Sequence, residues 1–148
     1  MISRTATRKG SSVSPRSVTR TTPCTPAQAR IRLDQARAFI DVADIVLLEP
    51  ATQCETHVAG ALAVLAAIAA TDSICGTKLK RYVRGQDHAQ AVALLETVDL
   101  PDTTLTTRLR RVLAAKDNAH YSPALMTKTD ARALVKNARR LVDAASAL

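Results

Sequence analysis

Thirteen consecutive residues in the middle of the chain, Val58 to Ala70, are apolar or glycine without interruption. A helix through this stretch has no polar face to turn toward water, so it must be covered on all sides. A membrane span needs about 20 such residues, so the run predicts a buried core helix and no membrane segment. Ala59, Gly60, Ala61, Ala63, Ala66, Ala67, Ala69 and Ala70 are small enough to let neighbouring helices approach closely. The helix reads from about Thr52 to Arg81. Asp72 follows the apolar run directly and needs a partner if it is buried.

What surrounds that helix must also be helical. Trp is absent, Phe39 is the only Phe, and there are only four glycines, so Ala, Leu and Val fill the interior. Ala and Leu lead the helix-propensity ranking. The expected fold class is therefore all-α, an antiparallel bundle of about five helices joined by short loops. Thr25-Pro26 starts the first helix with a capping Thr and Pro at the first helical position. Its apolar face is Ile31, Ala36, Phe39, Ile40, Ala43, Val46 and Leu47, and Glu49-Pro50 ends it. Gly85 is expected to break the central helix and Asp87 to cap a third, which runs to about Asp99. A fourth reads from Leu105 to Tyr121. Thr127 to Asp130 resembles a capping box with Asp in place of Glu. The last helix should bury Ala131, Leu134, Val135, Ala138, Leu141, Val142 and Ala145, leaving Arg132, Lys136, Arg139 and Arg140 outward.

The chain divides near residue 25. Residues 1–25 hold five of the basic residues and no acid, while the whole chain carries +8, so the remainder is only mildly basic at +3. This Ser-, Thr- and Arg-rich tail shows no apolar periodicity and is expected to be disordered, with residues 26–148 forming the helical domain. It lacks the apolar core of a secretory signal and has the acid-poor look of an organelle transit peptide; as a basic arm it would suit nucleic acid. Three cysteines, Cys24, Cys54 and Cys75, are odd in number and lack CxxC spacing. A reduced, cytoplasmic setting fits them better than a disulfide framework.

The fourth helix carries the chemistry. Its apolar stripe, Leu105, Leu109, Val112 and Leu113, continues by helical spacing onto Lys116 and His120. The third helix repeats the pattern: His88 extends the stripe of Val92 and Leu95. If these helices are antiparallel, the start of one lies near the end of the other. Arg84, Asp87, His88, Lys116, Asp117, His120 and Tyr121 would then gather at one end of the bundle. Such a set suits metal-free RNA cleavage, in which an imidazole takes the proton of a ribose 2′-hydroxyl and a cation stabilises the phosphate. It suits phosphate binding without reaction equally well. Neither GxxxxGK[ST] nor GxGxxG occurs, nor HExxH. Cys54 and His57 share a helix face, but no second pair completes a metal set. No metal or cofactor is expected.

The helix order, the central Ala-rich helix, the RGQDH segment and the Lys116-Asp117-Asn118-Ala119-His120-Tyr121 segment resemble the HEPN superfamily, in particular small actinobacterial HEPN-like proteins. The resemblance covers roughly Pro26 to Leu148. It implies a bundle of four or five helices, a homodimer, and in many members metal-independent ribonuclease activity in toxin–antitoxin or other defence systems. Other members only bind nucleotides or RNA, often beside a nucleotidyltransferase partner. His120 takes the place of the family's catalytic His and Asp117 that of its polar residue. Lys116 stands where Arg is expected, with three intervening residues rather than four to six. The expected function is binding or cleavage of RNA, with His120 as base and Lys116 as phosphate-facing cation. Arg84, Asp87, His88, Asp117, Tyr121 and Asp72 are the expected binding residues, with Arg84 and His88 auxiliary to the cleavage chemistry. The alternative is a non-catalytic nucleotide-binding or protein-interaction module.

Overall fold

The computed structural model describes residues 20–48, 51–85, 87–116, 119 and 125–148. Five helices are seen among them: α1 (Pro26–Leu48), α2 (Gln53–Leu79), α3 (His88–Glu96), α4 (Leu105–Ala114) and α5 (Lys128–Ser146). The fold class is all-α. The only sheet among the described residues is a pair of three-residue strands, β1 (Thr21–Pro23) and β2 (Arg81–Val83), joined antiparallel with Thr22 opposite Tyr82. This pairing reassigns Thr21–Pro23, read from the sequence as part of the unpatterned tail. Residues 1–19 lie outside the described residues.

The central helix is α2. It packs against α1 most extensively, then α5, and also touches α3, α4 and β2. Ala59, Ala63, Ala66, Ala67, Ala69 and Ala70 are fully buried, so the small side chains do bring the neighbouring helices close. α2 is long and apolar enough to cross a membrane, yet 72% of its most apolar window is buried within the chain. That burial is what the core-helix reading requires.

Local signals set most helix starts. Thr25 Oγ1 accepts from Gln28 N while Gln28 Oε1 accepts from Thr25 N, a reciprocal capping box at the head of α1. The side chains of Thr52, Asp87 and Thr127 each accept a backbone N–H three residues on, capping α2, α3 and α5. The seven residues expected to face the core from α5 are its seven buried ones.

Helix ends depart from the sequence reading. Lys80, not Gly85, stops α2: its backbone is left-handed at φ 58° and its N–H bonds back to Gly76 O. Gly85 instead takes φ +82° in the bend before α3. The fourth helix ends at Ala114 with Ala115 as its cap, so Lys116, itself helical, lies beyond that break rather than in the helix's last turn. On α1, Ile31 is 55% exposed rather than core. Arg139 is not a free member of a basic stripe, since it pairs with Asp41 and Asp44 of α1. Arg132, Lys136 and Arg140 are exposed as expected.

Candidate functional site

The start of α3 and the segment just beyond α4 meet. Lys116 Nζ lies 2.6 Å from His88 Nε2, joining residues 28 positions apart. Packing of α3 against α4 produces the contact, and Asp87 fixes its geometry on one side. Asp87 Oδ1 accepts from Gln90 N and Oδ2 from Gln90 Nε2, anchoring the first turn of α3 where His88 sits. Asp87 is thus an N-cap with both oxygens engaged. With Lys116 protonated, His88 Nε2 is the acceptor and the ring proton resides on Nδ1.

His88 also lines a cleft of about 460 Å³. The cleft lies between α1, the C-terminal half of α2, β2 and the head of α3. Its walls include apolar Ile31, Ile68, Val83 and Ala91, with Arg32, Asp72 and Tyr82 as polar members. Arg32 and Asp72 bridge α1 to α2. Both Arg32 Nε and Nη2 donate to Asp72 Oδ2, at 3.1 and 2.8 Å. Arg32 Nη1 donates to Gln35 Oε1 at 2.6 Å. Burial pushes Asp72 up to about 6, against the lowering effect of the Arg32 charge and hydrogen bond. The acid at the end of the apolar run therefore has the partner its position demanded. Periodicity could not name that partner, since Arg32 lies 40 residues away.

The remaining site expectations divide. Arg84 is exposed; its backbone N–H bonds to Arg20 O, and its side chain makes no hydrogen bond or ion pair among the described residues and does not line the cleft. It is not brought to the site. Asp117, His120 and Tyr121 lie outside the described residues. Sequence reasoning missed Arg32, Gln28 and Gln35 at the cleft.

Cys75 is buried and its thiol is pushed up to about 12, by burial first and then by the charge of Asp72. Burial, with Asp72 adding, raises Cys24 as well. Neither is a ready thiolate. His57 Nδ1 accepts from Met126 N while Cys54 is exposed, so that pair serves no common site. Among the described residues, no group of three or more His, Cys, Asp or Glu is arranged to hold a metal ion. Compared with protein-family models, curated proteins and solved structures, the chain matches none.

Proposed function

We propose that this chain is a HEPN-like helical module that binds the phosphates of RNA or of a nucleotide at the rim where α3 begins and α4 ends. The observation that carries this reading is the contact of Lys116 with His88, a residue that also lines the cleft. A lysine ammonium is a compact phosphate-binding charge, and Lys116 is half-buried beside His88 rather than fully exposed. The exposed Arg132, Lys136 and Arg140 add a sequence-independent attraction for a polyanion.

The same contact favours a second reading, metal-independent RNA cleavage. A neutral imidazole can take the 2′-hydroxyl proton while the neighbouring ammonium stabilises the phosphate in the transition state. In this version His120, placed near Lys116 in sequence, shares the base role, with Asp117 and Tyr121 as auxiliaries. The family likeness further suggests a homodimer, a cytoplasmic setting, and a nucleotidyltransferase or antitoxin partner in a defence system. Exposed Val42, Ile45, Leu48, Val58 and Leu65 on α1 and α2 supply an apolar surface suited to a second copy.

Labelled single-stranded RNA in EDTA tests both readings at once. Anisotropy reads binding and a denaturing gel reads cleavage, for wild type, Lys116→Met, His88→Ala and His120→Ala. Weaker binding by Lys116→Met is expected. Equal affinity of wild type and Lys116→Met removes the rim as a phosphate site. Cleavage that survives in both histidine variants, or is absent throughout, removes the enzymatic reading.

A further inference from the structure

The cleft beside His88 has more recognition chemistry than a phosphate requires. Its apolar walls, Ile31 and Ile68 among them, suit a flat uncharged ring. Asp72, which lines the cleft, has spent only one oxygen. Both bonds from Arg32 go to Oδ2, and Oδ1 takes no hydrogen bond among the described residues. Because Arg32 holds the carboxylate by that one oxygen, the other is an oriented acceptor rather than a rotating one.

Two amides line the same cleft, and their orientation is also determined. Gln28 Oε1 is engaged by Thr25 N, and Gln35 Oε1 by Arg32 Nη1. Those bonds need oxygen at each position, so the side-chain NH₂ groups are what each glutamine has left to offer. One fixed acceptor and two amide donors on apolar walls match the edge of a heteroaromatic ring that carries both a donor and an acceptor. A volume of about 460 Å³ accommodates such a ring with its sugar.

We infer that this cleft binds the base of a nucleotide bearing an exocyclic amino group, which donates to Asp72 Oδ1. The inference rests on the proposed phosphate site, because the phosphate of the same nucleotide reaches His88, which lines the cleft, and Lys116 beside it. Asp72 and Arg32 then set the base preference, while Lys116 sets affinity for the phosphate.

The probes are AMP, IMP (which replaces the amino group by a carbonyl) and inorganic phosphate, measured by titration calorimetry on the whole chain. Wild type should bind AMP about tenfold more tightly than IMP, the size of one unmade hydrogen bond to a charged group. Asp72→Asn makes the sharpest test. Arg32 will hold the amide by its oxygen, so the NH₂ faces the cleft and the acceptor becomes a donor. The preference should then invert toward IMP, a result that mere loosening of the fold cannot produce. Ile68→Trp, which fills the cleft and spares the Arg32–Asp72 pair, should reduce AMP binding to that of phosphate alone. A preference for AMP that Asp72→Asn leaves unchanged overturns the assignment of Asp72. Equal binding of AMP, IMP and phosphate, all weakened by Lys116→Met, overturns the base pocket and leaves the phosphate site standing. No binding of any probe, or binding that neither Lys116→Met nor Asp72→Asn alters, overturns both.

Discussion

Lys116 Nζ and His88 Nε2 lie 2.6 Å apart, a contact between the head of one short helix and the residue just past the end of another. His88 opens α3 and Lys116 follows the end of α4, so the pair exists only while α3 and α4 stay packed. If it meets phosphate, the lysine contributes one unit of charge to a polyelectrolyte equilibrium. Replacing Lys116 by Met should weaken single-stranded RNA binding about equally for all sequences. It should also reduce the slope of log affinity against log salt by about 0.7, the value of one single-strand phosphate contact. Lys116→Arg should restore the slope. Anisotropy titrations at three salt concentrations measure both quantities, and an unchanged slope for Lys116→Met counts against any phosphate contact.

Asp87 separates a structural role from an electrostatic one. Its side chain caps α3 through Gln90 N, so Asp87→Ala should lower stability by about 1 kcal/mol. It should also weaken ligand binding by loosening the turn that carries His88. Asparagine caps nearly as well as aspartate. Asp87→Asn should therefore keep both stability and binding close to wild type. Denaturant melts and RNA titrations on the two variants distinguish these roles; lost binding in Asp87→Asn with stability intact would show that the negative charge itself is used.

The buried pair gives stability a definite pH dependence. Asp72 holds its proton up to about pH 6 in the folded chain, against an ordinary 3.8. Below about pH 4 both states are protonated, and the folded state has its full advantage. As pH rises, the unfolded chain releases the proton first, so that advantage is lost through about pH 6. A shift of this size corresponds to about 3 kcal/mol at most. Asp102 acts in a lower window: hydrogen bonds from Thr104 hold it below its ordinary value, so its contribution is lost only on acidification. Urea melts at pH 4, 5, 6 and 7 should show wild type losing ground to Asp72→Asn as pH rises. A stability difference that is flat across this range would contradict the assignment.

How much of this was legible in the sequence depends on distance along the chain. Caps at Thr25, Thr52, Asp87 and Thr127 are local chemistry, decided within three residues, and they could be read directly or nearly so. The core face of α5 follows from helical periodicity alone. Asp72 stood out as an acid ending an apolar run, but its partner Arg32 belongs to another helix. Likewise the meeting of α3 and α4 follows from short loops, whereas the β1–β2 pairing of Thr22 with Tyr82 is tertiary and has no local signature. The stop at Ala114 was missed because Ala and Lys are good helix formers there, and propensity alone carries the pattern onward.

Two glycines of α2 report how closely the bundle is packed. A Cβ on Gly76 would lie 2.5 Å from Cys24 Sγ and 3.2 Å from Ala29 Cβ. Cys24 is held in place, since its N–H bonds to Lys80 O. Gly76→Ala should therefore cost about 1–3 kcal/mol by overpacking, and adding Cys24→Ala should recover part of it. A Cβ on Gly60 meets the thioether of Met126, with Cε at 2.8 Å. That flexible end can swing aside, and alanine gains up to about 1 kcal/mol of helix propensity over glycine. Thermal melts should place Gly60→Ala well above Gly76→Ala in stability.

The outward faces of α1 and α2 bear on assembly. Ile45 is 61% exposed, Leu48 81% and Val58 51%, while α2 buries most of its remaining apolar surface inside the chain. A two-fold pairing of this hairpin with its copy would place the same residues on both sides of the interface. Wild type should then sediment as a dimer at micromolar concentration. Ile45→Glu and Val58→Glu should each shift it to monomer, while Arg140→Glu, on the exposed side of α5, should not. The charge is placed at positions already facing water, so the monomer keeps its fold and melts cooperatively. A wild type that sediments as a monomer, or glutamate variants that remain dimeric, would rule out this face as the contact between copies.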